Sequence, residues 1–215
     1  MPAFIPDLSV ILAFGVASLV LALSPGPDMA LFVSRTINHG RAHGMAAMSG
    51  AITGILCHAL LAAFGVSLLL IALPTAFFVL KIVGALYLLY LAVQAVRHGG
   101  GITLLKKSKA APRLVQSYMT GIGINLTNPK IILFFVTFLP QFVSPHDPYA
   151  PQKLLFLSAE FVLVALPVVI TIIFLADWVA VVLTRSKRAQ NLLNWSFAAV
   201  FAGFAATILM LEGRR

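Results

Sequence analysis

Residues 21–33 read LALSPGPDMALFV, and residues 125–136 read NLTNPKIILFFV. Both are apolar runs interrupted by proline, and each carries one charge just past the interruption, Asp28 in the first and Lys130 in the second. Proline lacks the amide proton, and its ring collides with the carbonyl one turn back. Pro25 and Pro27 are therefore expected to open a helix around Ser24, with Gly26 between them free to take backbone angles that other residues resist. The helix can resume with Pro27 at its first position, where the missing proton costs nothing. In the second stretch Asn128 is a natural N-cap for a helix that restarts at Pro129. Each restart presents free amide protons and a positive dipole end, a setting that suits a carboxylate.

The rest of the chain decides which solvent surrounds these breaks. Of 215 residues, 60% are apolar and 10% are charged, against about a quarter charged in an average soluble domain. A soluble domain of this size could not keep so much apolar surface from water, whereas a bilayer makes hydrocarbon the solvent of the outer faces. Six apolar stretches run over residues 8–33, 44–73, 76–96, 118–143, 154–183 and 192–211. Each reaches the length of about 20 residues that a span needs. A chain in lipid must satisfy its own backbone, and the alternation of a barrel strand is absent. The expected fold is all-α, a polytopic membrane protein of six transmembrane helices with helices 1 and 4 broken at the prolines. The first stretch has Asp7 in place of a positive leader, and Pro25 and Pro27 where a cleavage site would need small residues, so it is expected to be retained.

Lys and Arg divide ten to three between alternate loops. Arg35, Arg41, Arg97, Lys106, Lys107, Lys109, Arg113, Arg185, Lys187 and Arg188 follow helices 1, 3 and 5, and Lys153, Arg214 and Arg215 lie on the other side. The positive-inside rule puts the odd-numbered loops in the cytoplasm and both termini outside. The net charge of +9 is thereby read as topology, and no nucleic-acid partner is expected. Cys57 is the only cysteine, which leaves no disulfide and no thiolate metal cage.

The chain reads as one transporter domain in two halves. A first repeat over about 1–97 and a second over about 118–215 flank a basic cytoplasmic loop over about 98–117. Three helices per half give the two halves opposite orientations, the arrangement of an inverted repeat. At an offset of 102 residues Pro27 meets Pro129, Leu31 meets Leu133, Phe32 meets Phe134, and Asp28 meets Lys130.

A charge within the membrane costs about 2.5–3.5 kcal/mol on the insertion scale, so Asp28 and Lys130 need a reason to be there. One reason is a buried ion pair that fixes helix packing. The other is a site for a small zwitterion, built from Ser24, Pro25, Gly26, Pro27, Asp28, Asn125, Asn128, Pro129 and Lys130. Lys130 and the helix-4 amides would take a carboxylate, and Asp28 would take an ammonium or carry a coupling proton. Three further residues are candidates for a proton pathway. Lys81 either snorkels to the interface or lines the path, Glu160 is either an interfacial carboxylate or a relay acid, and His58 is either a packing histidine or a titrating group. Gly50 and Gly54 form a small-residue face for close helix packing.

No HExxH, GxSxG, Walker or dinucleotide motif occurs. The chain is therefore not expected to be an enzyme, to hold a cofactor or metal, or to hydrolyse ATP itself. Secondary transport is the economical reading. Export of another small solute or a metal cation, or service as a membrane-embedded subunit or enzyme, stands as the alternative.

At these residues the sequence resembles the LysE/RhtB family of bacterial amino-acid exporters. The resemblance rests on Ser24-Pro25-Gly26-Pro27-Asp28, the glycines at 40, 44, 50 and 54, and Lys81 with Gly84-Ala85-Leu86-Tyr87-Leu88. It continues in Asn125-Leu126-Thr127-Asn128-Pro129-Lys130 and Phe138-Leu139-Pro140-Gln141-Phe142. It implies export of amino acids or close derivatives across the bacterial cytoplasmic (inner) membrane in exchange for protons, and it leaves a homodimer open. The last helix departs from the family pattern, with Ala198 where a glycine contact is expected.

Overall fold

The computed structural model describes residues 4–66, 112–144 and 147–188, with scattered helical positions between 75 and 93 and between 191 and 206. Its elements are α1 (Leu8–Leu23), α2 (Pro27–His39), α3 (Arg41–Leu60), α4 (Leu114–Thr127), α5 (Pro129–Leu133), α6 (Ala150–Phe174) and α7 (Ala176–Arg185). Helix α3 widens into a π-helical stretch over Leu61–Val66, and α5 continues as a π-helical stretch over Phe134–Phe138 and a 3-10 turn over Leu139–Phe142.

The prolines act where local rules place them. Ser24 leaves the helix in an extended conformation at φ −71° and ψ 131°, and Pro27 stands at the start of α2. Asn128 ends α4, and Pro129 opens α5. The axes bend by 51° between α1 and α2 and by 53° between α4 and the helix from Pro129 to Phe142. The 16 residues of α1 and the 14 of α4 rise about 24 Å and 21 Å at 1.5 Å each. Each is shorter than a hydrocarbon core about 30 Å thick.

Two unbroken helices, Arg41–Gly65 and Ala150–Phe174, are long and apolar enough to cross a membrane, and the two bent pairs bring the number to four if each is one span. Among the described residues two to four of the six expected spans are therefore accounted for. The spans expected over 76–96 and 192–211 fall largely outside the described residues, and the described positions within them are helical. The fifth span differs from expectation in its bounds. It starts at Ala150, runs through Pro167 without interruption and ends at Phe174, with Leu175 separating it from α7.

Burial follows the logic of a lipid-facing protein. Leu8, Leu12, Val16, Leu19 and Leu23 repeat every three or four residues along α1 and are exposed, as suits a face toward acyl chains. The opposite face buries Phe14, Ala17, Ser18 and Leu21. An aromatic cluster joins α1, α5 with its continuation, and α6. The Phe14 ring lies 5.5 Å from Phe134 and 5.3 Å from Phe142, and the Phe135 ring meets Phe161 edge-on at 5.5 Å. Ala198 belongs to the same buried cluster.

Helices α3 and α4 approach backbone to backbone. A Cβ on Gly50 would collide with the Tyr118 carbonyl, and one on Gly121 with the Ala47 carbonyl. Lipid offers no hydrophobic drive to bring helices together, so such contact depends on small residues. Gly50→Ala and Gly121→Ala are each expected to lower stability by about 1–3 kcal/mol through overpacking. Gly123, with nothing within 4 Å of its would-be Cβ, supplies the contrast. Gly123→Ala should be neutral or stabilise by about 0.5–1 kcal/mol. Thermal melts of the three variants in one detergent check the set, and equal shifts at all three positions would refute it.

Gly40 makes the turn from α2 to α3. Its φ of +91° lies in the left-handed region where a side chain is strained.

Candidate functional site

The two breaks meet. Leu23 ends α1 with carbonyls that have no helical partner, as at any helix C-terminus, and Lys130 from the other half of the chain reaches them. Its Nζ donates to the Leu21 carbonyl at 3.2 Å, the Ser24 carbonyl at 3.0 Å and the Ser24 hydroxyl at 2.9 Å. Ser24 Oγ in turn donates to the Leu21 carbonyl at 2.9 Å. An ammonium has three protons, and here each finds an oxygen at the negative end of α1.

Asp28 stands in the first turn of α2, where a negative charge suits the helix dipole. Its Oδ2 accepts from Asn128 Nδ2 at 2.7 Å and from Asn125 Nδ2 at 3.3 Å. Asn128 works in two directions, because its Oδ1 accepts from the Lys130 amide at 3.1 Å and so caps α5. Asn125 and Asn128 are 1% and 2% exposed, so the carboxylate is held by amides that cannot turn to solvent. Its other oxygen, Asp28 Oδ1, and Asn125 Oδ1 are buried without a hydrogen-bond partner.

These groups form one wall of a cavity of about 70 Å³. At about 15 Å³ per water-sized probe that is room for a few waters or a small polar headgroup. Ser24, Asp28, Asn125 and Lys130 are its polar lining, while Met29, Phe32, Ile55, Ile131, Phe161 and Leu166 are among its apolar lining.

The residues expected at the breaks are thus brought together, although two of them act differently from expectation. Gly26 has extended backbone, φ −177° and ψ −177°, which any residue adopts. Its contribution is space, since a Cβ there would lie 3.2 Å from Lys130 Nζ. Lys130 binds the end of α1, and no ion pair joins it to Asp28 among the described residues. Pro25, Pro27 and Pro129 shape the breaks and do not line the cavity.

The three pathway candidates separate. His58 is buried behind the wall, where Nε2 donates to the Asn125 carbonyl at 3.4 Å and the ring stacks on Phe135 at 5.9 Å. Glu160, expected near the outer end of its span, is the eleventh residue of α6, about 15 Å along the axis. It faces α1, where a Cβ on Gly15 would lie 2.9 Å from Glu160 Oε1, and its Oε2 is buried without a partner. Lys81 lies outside the described residues. Residue-type reasoning missed Ser18, fully buried one turn beyond Gly15 with an unpartnered hydroxyl. It also missed the apolar wall. Phe32 was within reach, because it follows Asp28 by four residues and so shares its helix face. Phe161 was not, because nothing local distinguishes it from other membrane phenylalanines.

A family model described as LysE type translocator matches residues 19–212. The homoserine/homoserine lactone efflux protein of Salmonella typhimurium is 33% identical over 191 residues, covering 88% of this chain and 90% of that protein. The leucine efflux protein of Enterobacter sp. is 31% identical over 211 residues, covering 92% and 93%. An uncharacterized membrane protein of Vibrio cholerae is 31% identical over 202 residues, covering 92% and 95%. No solved structure matches the chain.

Proposed function

This chain belongs to the LysE type translocator family, and we propose that it exports amino acids or close derivatives across the cytoplasmic membrane in exchange for protons. It is a multi-pass membrane protein and a translocator, not an enzyme. The observation that carries the finer reading is the meeting of two broken helices at a cavity with Asp28 on its polar wall and apolar side chains opposite. That pairing fits a small molecule with a charged head and an apolar tail. Two of the relatives above are named for efflux of homoserine and its lactone and of leucine, which agree with a cavity of this kind.

The unpartnered Oδ1 of Asp28 supports the exchange reading. The carboxylate can hold a substrate ammonium or a proton, and not both, so release of one to the outside accompanies return of the other. His58, Glu160 and Lys81 are the candidates to pass the proton. The near-equal bends of 51° and 53° support two inverted three-helix repeats that rock about a central site. In this reading the odd-numbered loops are cytoplasmic, both termini are outside, and two copies can associate as a homodimer.

The test is release of labelled amino acid from loaded proteoliposomes. An acidic exterior should speed release several-fold over a symmetric pH, and a protonophore should remove the difference. Release that ignores the gradient would refute proton exchange. If none of the twenty amino acids moves, the amino-acid reading is wrong.

A further inference from the structure

Helix α2 leaves helical geometry at both ends, with Gly26 extended before Pro27 and Gly40 at φ +91° after His39. Helices α3 and α4, by contrast, are locked backbone to backbone at Gly50 and Gly121. Asp28, Phe32 and Arg35 stand one turn apart along α2 and share one of its faces. Asp28 and Phe32 line the cavity. Arg35 lies about 10 Å beyond Asp28 along the axis, where its Nη2 donates to the Thr120 hydroxyl of α4 at 3.3 Å. Among the described residues Phe32 is the last lining residue of α2, Met48 the first of α3 and Ile172 the last of α6, and all three are buried. Toward the α2–α3 turn the cavity is thus shut by an apolar layer, with the Arg35–Thr120 contact outside it. That contact is a slight hold on a charge. A guanidinium has five N–H donors, yet this is the one hydrogen bond Arg35 makes among the described residues, and its Nε is buried without a partner.

We propose that Arg35 and Thr120 lock a gate, in which α2 swings at Gly26 and carries Phe32 away from Met48 and Ile172 to open the cavity toward the α2–α3 turn. Gly40 takes up the change of direction at the far end of the helix. Asp28, two residues from the Gly26 hinge, moves least and keeps its bonds to Asn125 and Asn128. Met29 and Val33 pack on Ala176 and Ala180, and α7 is itself set off from α6 at Leu175, so α7 can travel with α2. Parting the layer strands no polar group, because Phe32, Met48 and Ile172 offer none. The lock is one long hydrogen bond, and elements that move in function are drawn from the weakly held parts of a fold. The proposed topology makes this the cytoplasmic side, where a substrate for export is loaded. The inference rests on the reading of this cavity as the transport site and names the residues that control access to it.

Cysteine labelling of the full chain in membrane vesicles tests it without any substrate, so its outcome is separate from that of amino-acid release. With the exposed Cys57 replaced by serine, Ala165→Cys puts a small thiol on the cavity wall. A membrane-impermeant thiosulfonate reagent is applied to right-side-out and to inverted vesicles. Ala42→Cys, exposed beside the α2–α3 turn, marks in a parallel sample which side that turn faces. Thr120→Val keeps the shape of the side chain and removes the acceptor, and Arg35→Gln removes the charge. Each is expected to speed labelling at position 165 from the side of the turn by about tenfold, the weight of a hydrogen bond to a charged group in an equilibrium. Labelling from the opposite side should not rise. Thr120→Ser keeps a hydroxyl and should label at the parental rate. Thr120→Val, at a half-buried position, carries the test alone if Arg35→Gln fails to insert. Unchanged labelling in Thr120→Val overturns the proposal. So does a rise that is equal from both sides or confined to the other side, and so do equal effects of valine and serine, which would mean that loosened packing and not the lost hydrogen bond admits the reagent.

Discussion

Asp28→Asn should stop amino-acid release by about a hundredfold or more while the protein still inserts and melts near its normal temperature. The substitution keeps the shape of the side chain and an oxygen to accept from Asn125 and Asn128, which hold Oδ2 at 3.3 Å and 2.7 Å. What it removes is the charge. Truncating one member of a desolvated charge pair costs about 2–5 kcal/mol, and each 1.4 kcal/mol is about tenfold in affinity. Stability is spared because Lys130 does not depend on Asp28 for its hydrogen bonds. Counterflow in proteoliposomes, set beside a thermal melt of the same preparation, separates the two effects. Near-normal counterflow by Asp28→Asn would remove Asp28 from the transport mechanism.

Lys130→Met is expected to do the opposite in the first instance and lower stability by about 1–3 kcal/mol, because it leaves buried acceptors at the end of α1 without their donor. Methionine matches the length of the stem and keeps the packing against Gly26. The Leu21 and Ser24 carbonyls would then lose their charged donor, and a neutral water from the cavity would be a weaker replacement. A protein whose whole stability is about 5–15 kcal/mol should show this as a large fall in melting temperature and as new protease sensitivity between Ser24 and Gly26. Lost transport with an unchanged melt would show instead that Lys130 serves the substrate and that its bonds to α1 contribute little to the fold. Lys130→Arg is not a conservative rescue, because the would-be Cβ of Gly26 is only 3.2 Å from Nζ and a guanidinium is wider than an ammonium.

Both predictions turn on contacts between residues about a hundred positions apart, and this is where reading along the chain loses its reach. Proline geometry, N-capping and the length of an apolar run act within one or two helical turns. Pro27 at the head of α2 and Asn128 as the cap of α5 were therefore legible from neighbouring residues alone. So was the close-packing face at Gly50 and Gly54, because only a small residue leaves room for the Tyr118 backbone at one and the Asn125 side chain at the other. Glu160 shows the limit. Its residue type marked it as costly in lipid, but its depth depended on where α6 begins, and its neighbour Gly15 on which helix lies alongside.

The chain by itself determined that this is a membrane protein with two broken helices and an unmatched charge after each break, since hydropathy and proline stereochemistry need no partner. Only the tertiary structure decided how those charges are satisfied. The carbonyls freed at the end of α1 are the acceptors that Lys130 takes, and the side-chain amides around Asn128 are the donors that hold Asp28. The physical reason is that a desolvated charge accepts any well-placed dipole. Which dipoles are well placed is set by how the two breaks cross and cannot be read from either break alone.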